Sequence, residues 1–339
     1  MYRYVHDSNY CFDNNQPINI VDLNFTRTPV KDSETLCSAL RRYVENACLD
    51  NKAALALSGG IDSAILAKLV PQGTKTYTFR CIIPGKEVFD ESQTAKHWAE
   101  MNNLDHEVID IYWDDIVSAT DACMKHKGAP IHSIEAQIYI AAKHAVKAGK
   151  SKFIFGENAD IIYGGMDELI SKDWLYCEFV DRYTYVMPYK VLRDPVLPLE
   201  PYLSFEDNGH IDGHKFINEY FRQEALGTYT NACQSAGIDF VGPYSMTYLD
   251  HELDYNRIRS GETKYVVREL FRKLYPDEDI PAKIPMPRPV NEWFEDWRGP
   301  IRPEFIPHCT DKMNGDQKWM VWCLERFLNL LDNGDFRNE

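Results

Sequence analysis

Short apolar runs alternate with amphipathic helical patterns from Ala53 onward. The runs AALAL, KTYTFRC, HEVIDI and KFIF are each followed by a segment whose apolar residues recur at helical spacing. Parallel strands need a crossover of a dozen or more residues, most often a helix, so this alternation predicts an α/β fold with a doubly wound parallel sheet. Ligands of such folds bind beyond the carboxyl ends of the strands, and functional residues are expected there.

The chain before this alternation is polar and mixed in composition. A helix is predicted over Ser33 to Cys48. Residues 1–48 are expected to pack as an N-terminal extension on a domain that starts at residue 49.

After Met166 the strand patterns stop and helical patterns predominate. These patterns cover Lys215–Ala236, Lys264–Leu274 and Gln317–Asp332. Because no flexible linker separates the two parts, residues 167–339 are predicted to form a mostly helical cap on the sheet of residues 49–166.

Composition and charge narrow the class of protein. The 339 residues include 52 Asp and Glu against 37 Lys and Arg, and the resulting charge of −15 would repel a nucleic-acid backbone. No apolar run approaches the roughly 18 residues of a membrane span, and the first residues lack the apolar core of a signal peptide. Nine irregularly spaced cysteines without a Cys-x-x-Cys pair favour free thiols. We expect a soluble cytoplasmic protein that binds neither nucleic acid nor membrane.

The segment SGGIDS, residues 58–63, directly follows the strand AALAL and precedes an apolar helix. Gly59 and Gly60 let the backbone approach an anion, and the hydroxyls of Ser58 and Ser63 can donate to it. The helix N-terminus adds unpaired N–H groups and a positive dipole end. Asp62 beside bound phosphates would need a cation between them, most simply Mg²⁺. A glycine-rich turn that only begins an ordinary helix is the alternative.

A second polar segment, GENAD, follows the later strand KFIF. Since parallel strand ends meet at one edge of a sheet, Asp160 is expected to face Asp62 across a cleft, where the two carboxylates can share the metal. Glu157 could lie deeper and act as a base for an incoming amine. The alternative is an acidic helix N-terminus that is stabilised by the helix dipole.

At these residues the sequence resembles the synthetase domain of asparagine synthetases and their relatives, which include beta-lactam synthetase and lasso-peptide cyclases. SGGIDS is similar to the pyrophosphate loop of that family, and GENADIIYGG to its Gly-Glu-Gly-Ala-Asp element. FDESQTAKHWAEMNNLDHEV, YLDHEL and TKYVVRELF resemble later family segments. The resemblance covers about Leu40 to Trp297 and implies a sheet of the ATP-pyrophosphatase (adenine nucleotide alpha hydrolase-like) type.

The resemblance also implies a reaction and roles for residues. The reaction is the ATP-dependent adenylation of a small-molecule or peptide carboxylate, with release of pyrophosphate, followed by transfer of the acyl group to ammonia or an amine. The roles implied are Mg²⁺ binding by Asp62 and Asp160, pyrophosphate binding by residues 58–63, contact with adenine and ribose by Leu57 and Gly156, placement of the amine by Glu157, and contact with the phosphates by Lys264.

The sequence departs from this family at its N-terminus. Tyr2 stands where the family's glutaminase domain has its cysteine nucleophile, and the region before the sheet is far too short for that domain. We therefore expect free ammonia, a separate glutaminase subunit or an amine substrate as the source of nitrogen.

Two departures concern the site itself. Ile161 stands where the family usually has Glu after the metal-binding Asp, a change that the metal site is expected to tolerate. In PAKIPMPRPV the family's loop lysine is missing, since Val290 follows Arg288-Pro289. Arg288, ahead of Lys283, is expected to supply that cation at the α-phosphate in the closed state of the site. The alternative for both residues is a surface cation, which is the default for such a loop.

Two other functions fit the same loop. A sulfur-transfer or tRNA-modifying enzyme would share SGGIDS and adenylation, but the acidic charge and the lack of Cys-x-x-Cys oppose it. A nucleotide-binding regulator that has lost catalysis together with the loop lysine is the other alternative.

Overall fold

A five-stranded parallel sheet lies at the centre of the protein. The computed structural model describes residues 25–197, 199–282 and 286–335, and the strand order of the sheet is β4-β3-β2-β5-β8. The strands are β2 (Ala53–Ala56), β3 (Lys75–Cys81), β4 (Asp105–Ile111), β5 (Lys152–Ile154) and β8 (Asp239–Val241). All four residues of β2 are buried, as expected for a central parallel strand that is covered on both faces.

One face of the sheet is covered by helices that share a first hydrophobic core. They include α1 (Ser33–Cys48), α2 (Ile61–Leu69), α3 (Ser92–Met101) and α13 (Tyr265–Leu274). Leu55 and Ile154 of the sheet belong to this core, together with Leu40, Ile65 and Phe271 of the helices.

The opposite face is covered by a second core. Its helices are α4 (Trp113–Lys127), α5 (Ser133–Lys147), α11 (Arg222–Ala236), α14 (Val290–Trp293) and α15 (Gly315–Asp332). Ala54 and Phe153, the neighbours of Leu55 and Ile154 in their strands, face this core. Alternate residues of one strand thus pack on opposite layers, which confirms the doubly wound sheet.

A third core lies in the part of the chain after the sheet's fourth parallel strand. It is rich in stacked and edge-to-face aromatic rings, among them Phe179, Tyr183 and Phe216. Its short elements are α6 (Ala159–Ile162), α7 (Asp167–Ile170), α8 (Tyr176–Thr184), α9 (Glu200–Leu203), α10 (Gly213–Phe216), α12 (Tyr255–Arg259) and the hairpin β6 (Glu206–Asp207) with β7 (His210–Ile211). The helix expected over 215–236 is present, but a π-helical segment, Ile217–Phe221, separates α10 from α11.

The expectation that strands stop after Met166 is wrong. β8 pairs with β5 and extends the parallel sheet, with Lys152 opposite Asp239. A further strand, β9 (Thr247–Leu249), pairs in parallel with β1 (Thr28–Val30). These strands have three residues each, too few for an alternating pattern to be visible, and only their partners in the sheet make them strands.

No helix in the described ranges is long and apolar enough to cross a membrane.

Candidate active site

The loop of residues 58–63 leaves β2 and opens α2. The hydroxyl oxygens of Ser58 and Ser63 lie 2.9 Å apart, the Ser63 hydroxyl accepts a hydrogen bond from the Ser58 N–H at 3.0 Å, and the Ser58 hydroxyl accepts one from the Gly60 N–H at 3.1 Å. Gly60, which has no side chain that could cap the helix, is the N-cap of α2. The N-terminus of α2 is therefore a suitable place for an anion.

Gly156 brings the ends of two neighbouring strands together. A Cβ atom at Gly156 would lie 3.0 Å from Asp62 Cβ and 3.2 Å from the backbone nitrogen of Ser63. A larger residue would push apart the loops that follow β2 and β5. The prediction that these two loops open onto one edge of the sheet is confirmed.

Asp62 and Asp160 face each other across this edge, with Lys264 between them. The Lys264 ammonium lies 2.6 Å from Asp62 Oδ2 and 3.0 Å from Asp160 Oδ1. Asp62 is in the first turn of α2, Asp160 is in α6, and Lys264 is the N-cap of α13. Three elements that are distant in sequence thus place two carboxylates and one ammonium together, with a net charge of −1.

Lys264 is held tightly in this position. Its backbone has φ of 51°, in the left-handed region, and its side chain is buried. Burial alone would lower the pKa of Lys264, but the carboxylates of Asp62 and Asp160 raise it above its ordinary value, so the ammonium stays charged. Gly165 leaves room for the Asp160 carboxylate. A Cβ atom at position 165 would lie 2.1 Å from Asp160 Oδ1 and would collide with it.

The carboxylates of Asp62 and Asp160 fit a magnesium ion that arrives with phosphate groups. Within the described ranges, no three His, Cys, Asp or Glu residues are grouped so that they could hold a metal ion by themselves. Mg²⁺ in nucleotide sites is usually held by one or two carboxylates, with substrate phosphates and water as its other ligands. Two facing carboxylates beside a phosphate-binding loop match that ligand set.

Glu157 lies next to these carboxylates and is half-buried. Burial raises its pKa to about 7, the nearby charge of Asp160 adds to the increase, and a hydrogen bond with Tyr229 opposes it. A carboxyl group that titrates near neutral pH can accept a proton from an amine at physiological pH.

These groups line one pocket of about 220 Å³ at the carboxyl edge of β2, β3 and β5. Of the residues expected from the sequence, it contains Leu57, Ser58, Gly60, Asp62, Ser63, Gly156, Glu157, Asp160 and Lys264. Gly59 belongs to the same loop, and its N–H donates to the carboxylate of Glu91 at 2.9 Å. The other walls include Thr78, Phe79, Tyr229, Arg268, Met286 and the segment 280–282.

The structure does not bring Arg288 into this pocket. The Arg288 guanidinium donates to Asp316 Oδ1 from Nε at 3.1 Å and from Nη2 at 2.9 Å, and it lines a second, smaller cavity beside Tyr185 and Trp319. The Asp316 carboxylate holds the guanidinium away from the phosphate loop, which the sequence pattern could not indicate. Lys283, the other cation expected here, lies outside the described residues.

Arg268, Glu91 and Tyr229 also line the pocket, and the sequence analysis assigned no role to them. Arg268 follows Lys264 by four residues in α13, a spacing that places both on one helical face and could have identified it. Glu91 follows Asp90 at the start of α3, and only the fold shows that it reaches Gly59. Tyr229 comes from the middle of α11, and no local pattern marks it.

Two proteins of known structure are distantly similar to this chain. Among solved structures, U34-tRNA thiolase NcsA from Methanococcus maripaludis, with its 4Fe-4S cluster, is 12% identical with a TM-score of 0.29, over 74% of this chain and 83% of that one. NMN synthetase from Francisella tularensis is 11% identical with a TM-score of 0.25, over 75% of this chain and 99% of that one. TM-scores this low show only a distant likeness.

The search of curated proteins found no match. The asparagine synthase family model, in contrast, matches residues 35–227, more than half of the chain. The matched range includes the SGGIDS loop, Glu157 and Asp160. The chain therefore belongs to the asparagine synthase family.

Proposed function

We propose that the protein is an ATP-dependent, AMP-forming carbon–nitrogen ligase. It adenylates a substrate carboxylate and transfers the acyl group to ammonia or an amine. The observation that carries this proposal is the convergence of Asp62, Asp160 and Glu157 on one pocket beside the loop of residues 58–63.

The first step is the formation of an acyl-adenylate. A substrate carboxylate oxygen attacks the α-phosphorus of ATP, the bond between the α-phosphorus and its bridging oxygen to the β-phosphorus breaks, and pyrophosphate leaves. The loop of residues 58–63 and the N-terminus of α2 hold the leaving pyrophosphate. Asp62 and Asp160 would hold Mg²⁺, which neutralises charge on the phosphates when bound.

The second step is transfer of the acyl group to nitrogen. The amine attacks the acyl carbon, the carbon–oxygen bond to AMP breaks, and the nitrogen loses a proton. Glu157 accepts this proton. Its pKa of about 7 makes it a stronger base than a carboxylate of ordinary acidity, and it is still partly unprotonated at neutral pH. Tyr229, through its hydrogen bond to Glu157, orients the carboxyl group.

The decisive experiment is the identification of products. Purified protein is incubated with ATP, Mg²⁺ and a panel of carboxylic and amino acids, with hydroxylamine as the trapping amine, and nucleotides are separated by anion exchange. AMP, pyrophosphate and a hydroxamate are expected in equal amounts, and labelled pyrophosphate should exchange into ATP when a competent acid is present. Asp160→Asn serves as the inactive control. Stoichiometric ADP and orthophosphate would refute the proposal, whereas nucleotide binding without any exchange would favour a regulator.

A further inference from the structure

We propose that Arg268 binds the phosphate groups of the nucleotide and takes the role of the family's loop lysine, where this chain has Val290. This inference rests on the proposed use of ATP. It assigns Lys264 and Arg268, one helical turn apart on α13, to different tasks. Lys264 holds the two carboxylates, and Arg268 meets the phosphates.

Lys264 already forms ion pairs with Asp62 and Asp160. Its ammonium lies within 3.0 Å of both carboxylates, and its side chain is buried. Before Mg²⁺ is bound, moving Lys264 toward a phosphate would leave two facing carboxylates without their counter-ion, which is costly in a partly buried site. In the nucleotide-free protein, Lys264 therefore serves less well than Arg268 as the first ligand of an incoming anion.

Arg268 has spare hydrogen-bonding capacity in the same pocket. Its Nε atom is buried and has no hydrogen-bond partner among the described residues. Within the described ranges, its Nη2 atom donates one long hydrogen bond, of 3.4 Å, to Thr263 Oγ1. A buried guanidinium nitrogen without a partner is unfavourable, so an anion that accepts from it would stabilise the site.

The chemistry of the side chain and its place suit a phosphate. A guanidinium presents parallel N–H groups that match two phosphate oxygens, and it keeps its charge at neutral pH. Arg268 lines the pocket together with the loop residues Ser58 and Gly60 and with segment 280–282. Arg288 is unsuited to this task because Asp316 engages it in the second cavity.

The test is equilibrium binding by calorimetry, with ATP in the presence of Mg²⁺ and with inorganic tripolyphosphate as two separate probes. We expect Arg268→Met to lower the affinity for both probes by about 10- to 100-fold, which is the range for loss of a charged hydrogen-bonding group. Arg268→Lys should recover part of the affinity, because it restores the charge without the planar fork. Arg272→Met, an exposed arginine one turn further along α13, is the matched control and should bind like the wild type.

Circular dichroism and the unfolding midpoint of each variant show whether it is folded. Wild-type affinity of folded Arg268→Met for both probes would overturn the inference, as would an Arg268→Lys variant no better than Arg268→Met. The proposed function fails separately: weakened binding in Arg268→Met without formation of AMP by the wild type would remove the ligase assignment and leave the phosphate contact standing. Normal AMP formation by the wild type, together with unchanged binding in Arg268→Met, would support the ligase assignment and remove the phosphate contact of Arg268.

Discussion

Glu157 titrates near neutral pH because of where its side chain lies. Burial disfavours its carboxylate, and Asp160 adds like charge, whereas the hydrogen bond with Tyr229 favours the carboxylate. The pKa is raised from the ordinary value to about 7, so Glu157 is protonated below that pH and charged above it. A base must be unprotonated, and the acyl-transfer rate should therefore rise with pH up to about 7.

Tyr229→Phe tests this assignment. Removal of the hydrogen bond that favours the charged form should raise the pKa of Glu157 and move the midpoint of the pH–rate profile to higher pH. The profile of acyl transfer is measured with one amine for both proteins, so that the titration of the amine cancels. Tyr139→Phe, in the same core but outside the pocket, is the control. An unchanged midpoint in Tyr229→Phe would remove Glu157 as the titrating base.

Lys264 determines how the two carboxylates behave before nucleotide binds. Its ammonium neutralises part of the negative charge of Asp62 and Asp160, because it lies within hydrogen-bonding distance of both carboxylates. Without the ammonium, that charge would attract a divalent ion. The nucleotide-free protein is thus expected to have low affinity for divalent ions, and magnesium is expected to enter together with ATP.

Lys264→Met should reverse this behaviour. With the ammonium gone, the facing carboxylates should bind Mn²⁺ at least about tenfold more tightly without nucleotide, since the electrostatic competitor has been removed. Electron paramagnetic resonance of free Mn²⁺ at pH 8 measures the change. Lys273→Met, on the same helix and paired with Glu269, should leave Mn²⁺ binding unaltered. Equal Mn²⁺ affinity in the wild type and Lys264→Met would contradict this view of the site.

At the scale of elements, α1 is part of the layer that supports the phosphate loop. Its apolar face, including Leu36 and Leu40, packs into the first core with α2 and α13. Asp62 is in the first turn of α2 and Lys264 is the N-cap of α13, so this layer sets the distance between the two charged groups. Helix α1 therefore contributes to the geometry of the site, although none of the described residues 25–52 lines the pocket.

Leu40→Ala tests the contribution of α1. Leu40 is fully buried, and its truncation should lower the free energy of unfolding by about 2–5 kcal/mol through lost burial and the cavity left behind. Urea denaturation measures the change, and a single transition would show that α1 unfolds together with the sheet. Arg41→Ala, at the next, exposed position, should change stability by less than about 0.5 kcal/mol. Two separate transitions would mean that residues 33–48 form an independent unit.

At the scale of the whole molecule, the pocket lies where the sheet edge, α13 and segment 280–282 meet. Its walls come from regions more than 200 residues apart in the chain, such as Ala56 and Met286. A ligand that fills it connects the sheet to the later helical part, so binding should stabilise the entire fold and not one part of it.

Thermal unfolding with ligand measures this coupling. ATP with Mg²⁺ at about 100 times its dissociation constant should stabilise the protein by about 2.7 kcal/mol. Asp62→Asn and Asp160→Asn should each lose this shift, while their midpoints without ligand stay close to the wild type because Lys264 keeps one carboxylate partner. Full ligand-induced shifts in both variants would show that these carboxylates do not hold the metal.

The amino-acid sequence by itself determined the class of fold and the place of the site. The alternation of buried strands and helices specified the parallel sheet, because only such a sheet buries runs like AALAL on both faces. The glycines and hydroxyls between β2 and α2 specified the anion loop. Its two needs, a backbone that can approach an anion and side chains that can donate to it, are met within six consecutive residues. Asp62, Asp160 and Glu157 were recognisable because each lies in the loop or the first helical turn that follows a strand.

Only the tertiary structure decided which distant side chains complete the site. Lys264 between the carboxylates, Tyr229 on Glu157 and Glu91 on Gly59 are contacts across 32 or more residues of sequence, and their energy depends on burial that no local pattern encodes. The place of Arg288 was decided in the same way, by Asp316 of α15, 28 residues later. Lys264 was named from the family resemblance, whereas its pairing with both carboxylates and the presence of Arg268 in the pocket were visible only in the folded chain. The physical reason is that the interaction between charges depends on the distance between them after folding.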